Sequence, residues 1–188
     1  MNRISIPTTE QTPAASLPLL DAVKKQLGVV PNLMKLVGNS PAALEGYLSL
    51  NNALGKGALD PKTRERIALA IADFNGCSYC LSAHTYLGKN VAKLDDTEIA
   101  ANRNGNSSDP KAAAAVKFST RVALERGHVS DADLAAVRAA GYSNAEIVEI
   151  VEIVEIVLHV ALNTLTNYIN EVAQTEIDFP KVDLKIAA

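Results

Sequence analysis

Three times in this chain a helix-capping side chain stands immediately before a proline: Ser40-Pro41, Asp60-Pro61 and Asp109-Pro110. Each pair marks a helix start twice over. The Ser or Asp oxygen accepts from backbone N–H groups that have no partner inside the helix. Proline at the first helical position loses nothing, because an N–H there would be idle. Ser130 with Asp133, and Ser143 with Glu146, have the spacing of a capping box. From these starts and the apolar periodicity we read helices over 17–27, 41–54, 61–75, 77–90, 96–102, 110–126, 131–139 and 144–173. Strand signals are nearly absent. "GVVPNLMKLVGNS" reads as a turn into a short helix and "TEIDFPKVDLKIAA" as an irregular tail. The expectation is an all-α, single-domain helical bundle over 17–175. An extended segment over 1–16 precedes it and the irregular tail over 176–188 follows it.

Composition agrees with helix and narrows the function. Aromatics are scarce at 4% with no Trp, while Ala, Leu, Ile, Val and Glu abound. At 188 residues, 48% hydrophobic and 21% charged, the chain can bury a core without disulfide or metal staples. A net charge of -3 leaves no electrostatic footprint for nucleic acid or an anionic membrane. "MNRISIPTTEQTPAASLPLL" lacks a basic segment followed by an apolar one, and no uncharged run reaches the length of about 18 residues that spans a bilayer. The expected location is cytoplasmic. Two cysteines three apart are too few for a secreted disulfide framework.

One segment breaks the amphipathic rule. "EIVEIVEIVEIV", residues 146 to 157, repeats a triplet four times. Each three-residue step on a helix advances about 300°, so the glutamates drift about 60° per repeat and no constant polar face results. The segment reads as a central helix with a wide apolar surface. Its glutamates then emerge at helix ends, at a cleft or opposite Arg or Lys. A surface that wraps so widely also points to subunit association.

The chemistry concentrates in "RERIALAIADFNGCSYCLSAHTYLG", residues 64 to 88. Asn75-Gly76 ends one helix, since Gly suits the left-handed position there, and Cys77 opens the next. Cys77 and Cys80, at i and i+3, lie on neighbouring faces within reach of a disulfide. Thiols in a first turn sit near unpaired N–H groups, which favours thiolate. His84 is one turn beyond Cys80, and Glu65 lies on the preceding helix, where its carboxylate can orient the imidazole. A thiol, an imidazole and a carboxylate are the parts that move a proton off sulfur. Three readings stay open on these residues alone. They are a redox dithiol, a zinc site of Cys77, Cys80, His84 and Glu65, or two inert core cysteines. Structural zinc sites usually carry more sulfur, and a thioredoxin-type C-x-x-C follows a strand that is missing here.

Glu65, Cys77, Cys80 and His84, in the order E-x(11)-C-x-x-C-x(3)-H, resemble the active-site motif of the alkylhydroperoxidase D-like group. That group lies within the carboxymuconolactone decarboxylase superfamily. The resemblance to its peroxidase-related branch extends through "LGVVPNLMKLVGNSPAALEGYLSLNNAL", "LDPKTRERIALAIADFNGCSYCLSAHTYLGK" and "ALNTLTNYIN…TEIDFP", over about residues 25 to 180. It implies an all-α, oligomeric fold and a peroxidase with a dithiol/disulfide cycle. It also implies a hydroperoxide substrate, an external dithiol reductant of lipoyl or thioredoxin type, and no metal or organic cofactor. Tyr79 departs from the family pattern, which has histidine just before the second cysteine. A tyrosine there can donate a hydrogen bond but is a poor base at neutral pH. Cys80, the sulfur nearer His84, is the expected peroxide-attacking residue and Cys77 the resolving one. The superfamily's decarboxylases generally lack the cysteine pair. Two rivals remain: a dithiol oxidoreductase with a non-peroxide substrate, and a non-enzymatic redox sensor. Of the other histidines, His128 reads as an exposed loop residue and His159 as a core or interface residue. Asn163, Asn167 and Tyr168 read as hydrogen-bonding residues that lock helices together.

Overall fold

The computed structural model describes residues 2–142 and 148–185. All three cap-and-proline pairs start helices. Ser40 accepts from the Ala43 amide, Asp60 from Lys62 and Thr63, and Asp109 from Lys111 and Ala112. The Ser130–Asp133 box closes in both directions. The Ser143–Glu146 pair lies outside the described residues, as do residues 144–147 of the long C-terminal helix. In order the helices are α1 (Leu17–Leu27), α2 (Asn32–Val37), α3 (Pro41–Leu54), α4 (Pro61–Phe74) and α5 (Ser78–Asn90). There follow α6 (Asp96–Arg103), α7 (Pro110–Leu124), α8 (Asp131–Ala139) and α9 (Val148–Ala173). Among the described residues there is no strand, and no helix is long and apolar enough to cross a membrane.

The centre is α4, not the repeat-bearing α9. Residues 66–72 of α4 are buried without interruption, and the helix packs against α5, α6, α7 and α9. Alanine at 68, 70 and 72 is the reason: with side chains this short, neighbours approach from every side. One apolar cluster forms where α1, α2 and α3 meet Leu69 and Ala72 of α4 and the first turns of α5. The other lies between Ile67 and Ile71 of α4, Phe118 of α7, Val137 of α8, and Ile156 and Val160 of α9.

Two of the repeat's glutamates find separate partners. Glu152 faces Lys111 at 3.5 Å. Glu155, only 8% exposed, accepts the backbone N–H groups of Ala58 and Leu59, both at 2.9 Å. A Cβ on Gly57 would overlap that carboxylate, so the loop before α4 needs glycine there. Val154, Val157 and Leu158 point outward.

Beyond α9 the chain runs irregularly but is firmly tied. Asp178 accepts from the Asn32 amide (2.8 Å) and from the Tyr79 hydroxyl (2.8 Å). Phe179 stacks edge-on against Tyr79 at 5.8 Å, and the Val182 amide donates to Ser82 Oγ at 3.0 Å. The tail is a strap across α5.

Candidate active site

The turn between α4 and α5 sets the sulfurs. Asn75 caps α4, and Gly76 follows at φ +68°, where any side chain would be strained. Cys77 takes extended backbone angles as the N-cap of α5, and its Sγ accepts the Cys80 amide at 3.3 Å. Both cysteines are free and buried. Their sulfurs differ in what reaches them. Cys80 Sγ accepts Asn170 Nδ2 from α9 at 3.2 Å. The Cys77 thiol, the Asn170 and Asn167 amides and the charge of His84 all favour a Cys80 thiolate. Foremost is the Cys77 hydrogen bond, and together they outweigh burial and hold Cys80 well below an ordinary thiol. Cys77 is pushed the other way, because it donates to that thiolate and lies in the core.

The relay residues meet as the spacing implied. His84 Nδ1 lies 2.9 Å from Glu65 Oε2. A carboxylate in this contact accepts, so Nδ1 donates and Nε2 is left to exchange protons. Burial opposes charge on the imidazole, but the Glu65 charge and hydrogen bond, with the Cys80 charge, prevail and raise its pKa. The His84 and Glu65 side chains are 22% and 23% exposed, so the site meets solvent on their side. No hydrogen bond joins the imidazole to either sulfur among the described residues.

Tyr79 does something other than serve the thiols. Its hydroxyl accepts the Leu33 amide (3.1 Å) and donates to Asp178, so its polar capacity is spent tying α2 and the strap to α5. His128 is exposed in the loop before Ser130. His159 is buried beside Arg64, and burial foremost, then the Arg64 charge, presses its pKa down to about 4. Of the three residues expected to lock helices, one does. Asn167 Oδ1 accepts Asn75 Nδ2 at 2.8 Å, joining α9 to the turn before Cys77. Asn163 bonds back to the carbonyl of His159 in its own helix. Tyr168 is 60% exposed and locks nothing: the helix face of residues 163, 167 and 170 that points inward leaves 168 on the outside. Asn170, which reaches the sulfur, is the residue sequence reasoning missed. Its signal was present, since 163, 167 and 170 follow i, i+4, i+7 on an apolar helix. Among the described residues no group of three or more His, Cys, Asp and Glu side chains is disposed to hold a metal ion.

Fold and site together define an all-helical protein with a buried, asymmetric dithiol served by a Glu–His pair. Residues 41–123, which contain all four motif residues, match the model of the carboxymuconolactone decarboxylase family. The fold is the alkylhydroperoxidase D-like one. It is similar to an alkylhydroperoxidase AhpD core, peroxidase-related protein from Ralstonia eutropha JMP134 (TM-score 0.80, 22% identity, 94% of this chain and 92% of that one). It is also similar to a peroxidase-related protein from Silicibacter sp. TM1040 (TM-score 0.76, 19% identity, 93% and 89% covered). A third similar structure is the debrominase Bmp8, solved with 2,3,4-tribromopyrrole (TM-score 0.73, 18% identity, 94% and 91% covered). In sequence, 63 residues are 43% identical to an uncharacterised protein of Haemophilus influenzae, covering 33% of this chain. The chain's match spans half the length of that relative, 50%.

Proposed function

We propose that this protein is a thiol-dependent peroxidase that reduces alkyl hydroperoxides through a Cys80/Cys77 dithiol–disulfide cycle, assisted by His84 and Glu65. The observation that carries the reading is the asymmetry of the two sulfurs: one is held as thiolate by hydrogen-bond donors, the other is kept protonated three residues away. The Cys80 thiolate attacks the terminal oxygen of the hydroperoxide. The O–O bond breaks, an S–O bond forms, and the departing alkoxide takes a proton from His84 through one water. Cys80 is left as a sulfenic acid. Glu65 stabilises the imidazolium before that transfer. The Cys77 thiol then displaces hydroxide from the Cys80 sulfur, giving the disulfide and water. An external dithiol of lipoyl or thioredoxin type returns both sulfurs to thiols and leaves as its own disulfide. No metal or organic cofactor enters these steps. The working unit is a homo-oligomer in the cytoplasm.

A second reading, a dithiol oxidoreductase acting on another electrophile, has one observation in its favour. Tyr79 stands where the peroxidase pattern has a histidine, and its hydroxyl is occupied elsewhere, so proton delivery rests on His84 and Glu65 alone. The likeness to a debrominase makes a brominated pyrrole a useful competitor in the assay. The test is steady-state consumption of cumene hydroperoxide, hydrogen peroxide and 2,3,4-tribromopyrrole, with dihydrolipoamide or reduced thioredoxin as donor. The proposal expects peroxide turnover that depends on Cys80. Thiol oxidation without peroxide turnover under any donor would overturn it.

A further inference from the structure

The mechanism above uses the N–H of one buried amide on the reacting sulfur and leaves its oxygen without a task. Asn170 is 2% exposed, its Nδ2 donates to Cys80 Sγ at 3.2 Å, and its Oδ1 has no partner among the described residues. An amide oxygen buried without a partner is costly, and each such group in a folded protein calls for an explanation, a redox or catalytic role among them. The neighbouring Asn167 repeats the pattern in reverse: its Oδ1 is held by Asn75, while its Nδ2 is buried near Cys80 and completes no hydrogen bond among the described residues. The two amides therefore offer the Cys80 sulfur two N–H groups and one free acceptor, all from one face of α9.

We propose that Asn170 is the residue that holds Cys80 as thiolate and then accepts the O–H of its sulfenic acid, with Asn167 as the second donor. Before the reaction the Asn170 amide presents N–H to sulfur, and an N–H donor stabilises the charged form over the thiol. After the peroxide oxygen has joined the sulfur, the new O–H needs an acceptor in a dry pocket. Asn170 Oδ1 is the unoccupied acceptor on the same planar group. Holding the sulfenic acid this way keeps the S–O bond oriented for displacement by Cys77 and slows further oxidation. The sulfenic half rests on the peroxidase reading; the thiolate half does not. The titratable groups around Cys80 are Cys77 and His84 of its own helix, Tyr79 beside it, Tyr47 of α3 and Glu65 of α4. Glu171 of α9 bears on Cys77. Asn170 is distinct from all of them in not titrating, so it acts at every pH.

The experiment measures the alkylation rate of Cys80, resolved from Cys77 by mass spectrometry, against pH in Asn170→Ala and Asn170→Asp. The alanine variant should move the Cys80 midpoint up by about one pH unit, and the aspartate, which keeps the shape and adds a like charge, by more. A merely structural role would leave the midpoint in place while making Cys80 more accessible at all pH values. In the unaltered protein the Asn170 side-chain NH2 resonances should titrate with the same midpoint, a reading that needs no variant to fold. Midpoints within about 0.3 unit of the parent in both variants, or flat NH2 resonances, would overturn the proposal. In a Cys77→Ser background, one peroxide equivalent should leave a sulfenic acid, which a following excess of peroxide should over-oxidise at least several-fold faster when Asn170 is Ala; an equal rate overturns the sulfenic half. If the parent consumes no peroxide while the midpoints shift as stated, the peroxidase reading and the sulfenic half fall and the thiolate half stands.

Discussion

Cys80 and Cys77 are the same side chain three residues apart, and the difference between them lies wholly in their neighbours. Cys80 receives N–H donors; Cys77 donates to Cys80 and accepts only a backbone amide. The first proton lost by the pair should therefore leave from Cys80, below the ordinary thiol value of about 8.5. Because this pKa is lowered, thiolate reactivity persists as pH falls past 8.5 and fades only through the lower folded value. Alkylation of Cys80 against pH measures that window. Cys80→Ser should abolish reaction with peroxide. Cys77→Ser should consume about one equivalent and stop as a sulfenic acid, because the resolving thiol is gone. His84→Ala and Glu65→Gln should slow the first step by about 10²–10⁴-fold, the usual size of lost acid–base assistance. Stopped-flow peroxide consumption and a sulfenate-specific label read these outcomes; label on Cys77 in Cys80→Ser, with none on Cys80 in Cys77→Ser, would reverse the assignment.

The join between α6 and α7 shows how one carboxylate can organise an element boundary. Glu98 accepts from Arg66 Nε (2.7 Å), Asn102 Nδ2 (3.0 Å), Ser107 Oγ (2.5 Å) and the amide and hydroxyl of Ser108. Burial works against its charge, but the bonds from Ser107, Ser108 and Asn102 prevail and hold its pKa far below the usual carboxylate range. Glu98→Ala strands Arg66 in the core and should cost about 3–5 kcal/mol, measured by urea unfolding. The sign with pH follows from the lowered value. The stabilisation is present above the unfolded carboxylate value of about 4.3 and is lost progressively as pH falls from there toward the folded value. The parent's stability should therefore fall below pH 4.3, and Glu98→Ala should flatten that fall. Little of this network was visible in the sequence, because its donors come from three places, α4, α6 and the loop after α6, and only Asn102 stands at a helical spacing from Glu98. Helix starts were legible for the opposite reason: a cap and its proline act on backbone within three residues. Cys77, Cys80, His84 and Glu65 were legible as a set because two adjacent helices hold them in register. The strap's hold on Tyr79 and α2 was not, since Asp178 meets Tyr79 across 99 residues. Nor was the exchange of roles between α4 and α9, which turned on how closely alanine lets helices pack.

Across the whole molecule, the outer side of α9 is apolar without cover. Val154, Val157, Leu165, Tyr168 and Val172 are between 41% and 63% exposed. From 158 to 172 the outward positions step by three and four, the spacing of a helix that packs along a second helix. Light scattering at micromolar concentration should give a multiple of the 19.9 kDa chain mass, and Leu165→Glu with Val172→Glu should lower it. A parent that stays near 20 kDa would remove the subunit interface from the proposal. The inner side of α9 has a different consequence. Asn167 and Asn170, and the strap behind them, belong to the end of the chain, while Asn170 lies 90 residues after Cys80. During synthesis at about 5–20 residues per second, the cysteines leave the ribosome roughly 5–20 s before their amide donors do. For that interval Cys80 has Cys77 and His84 to favour its thiolate but not its α9 donors. The amide donors arrive with α9, so a chain stalled or cut before that helix carries the whole motif and only part of its acidity.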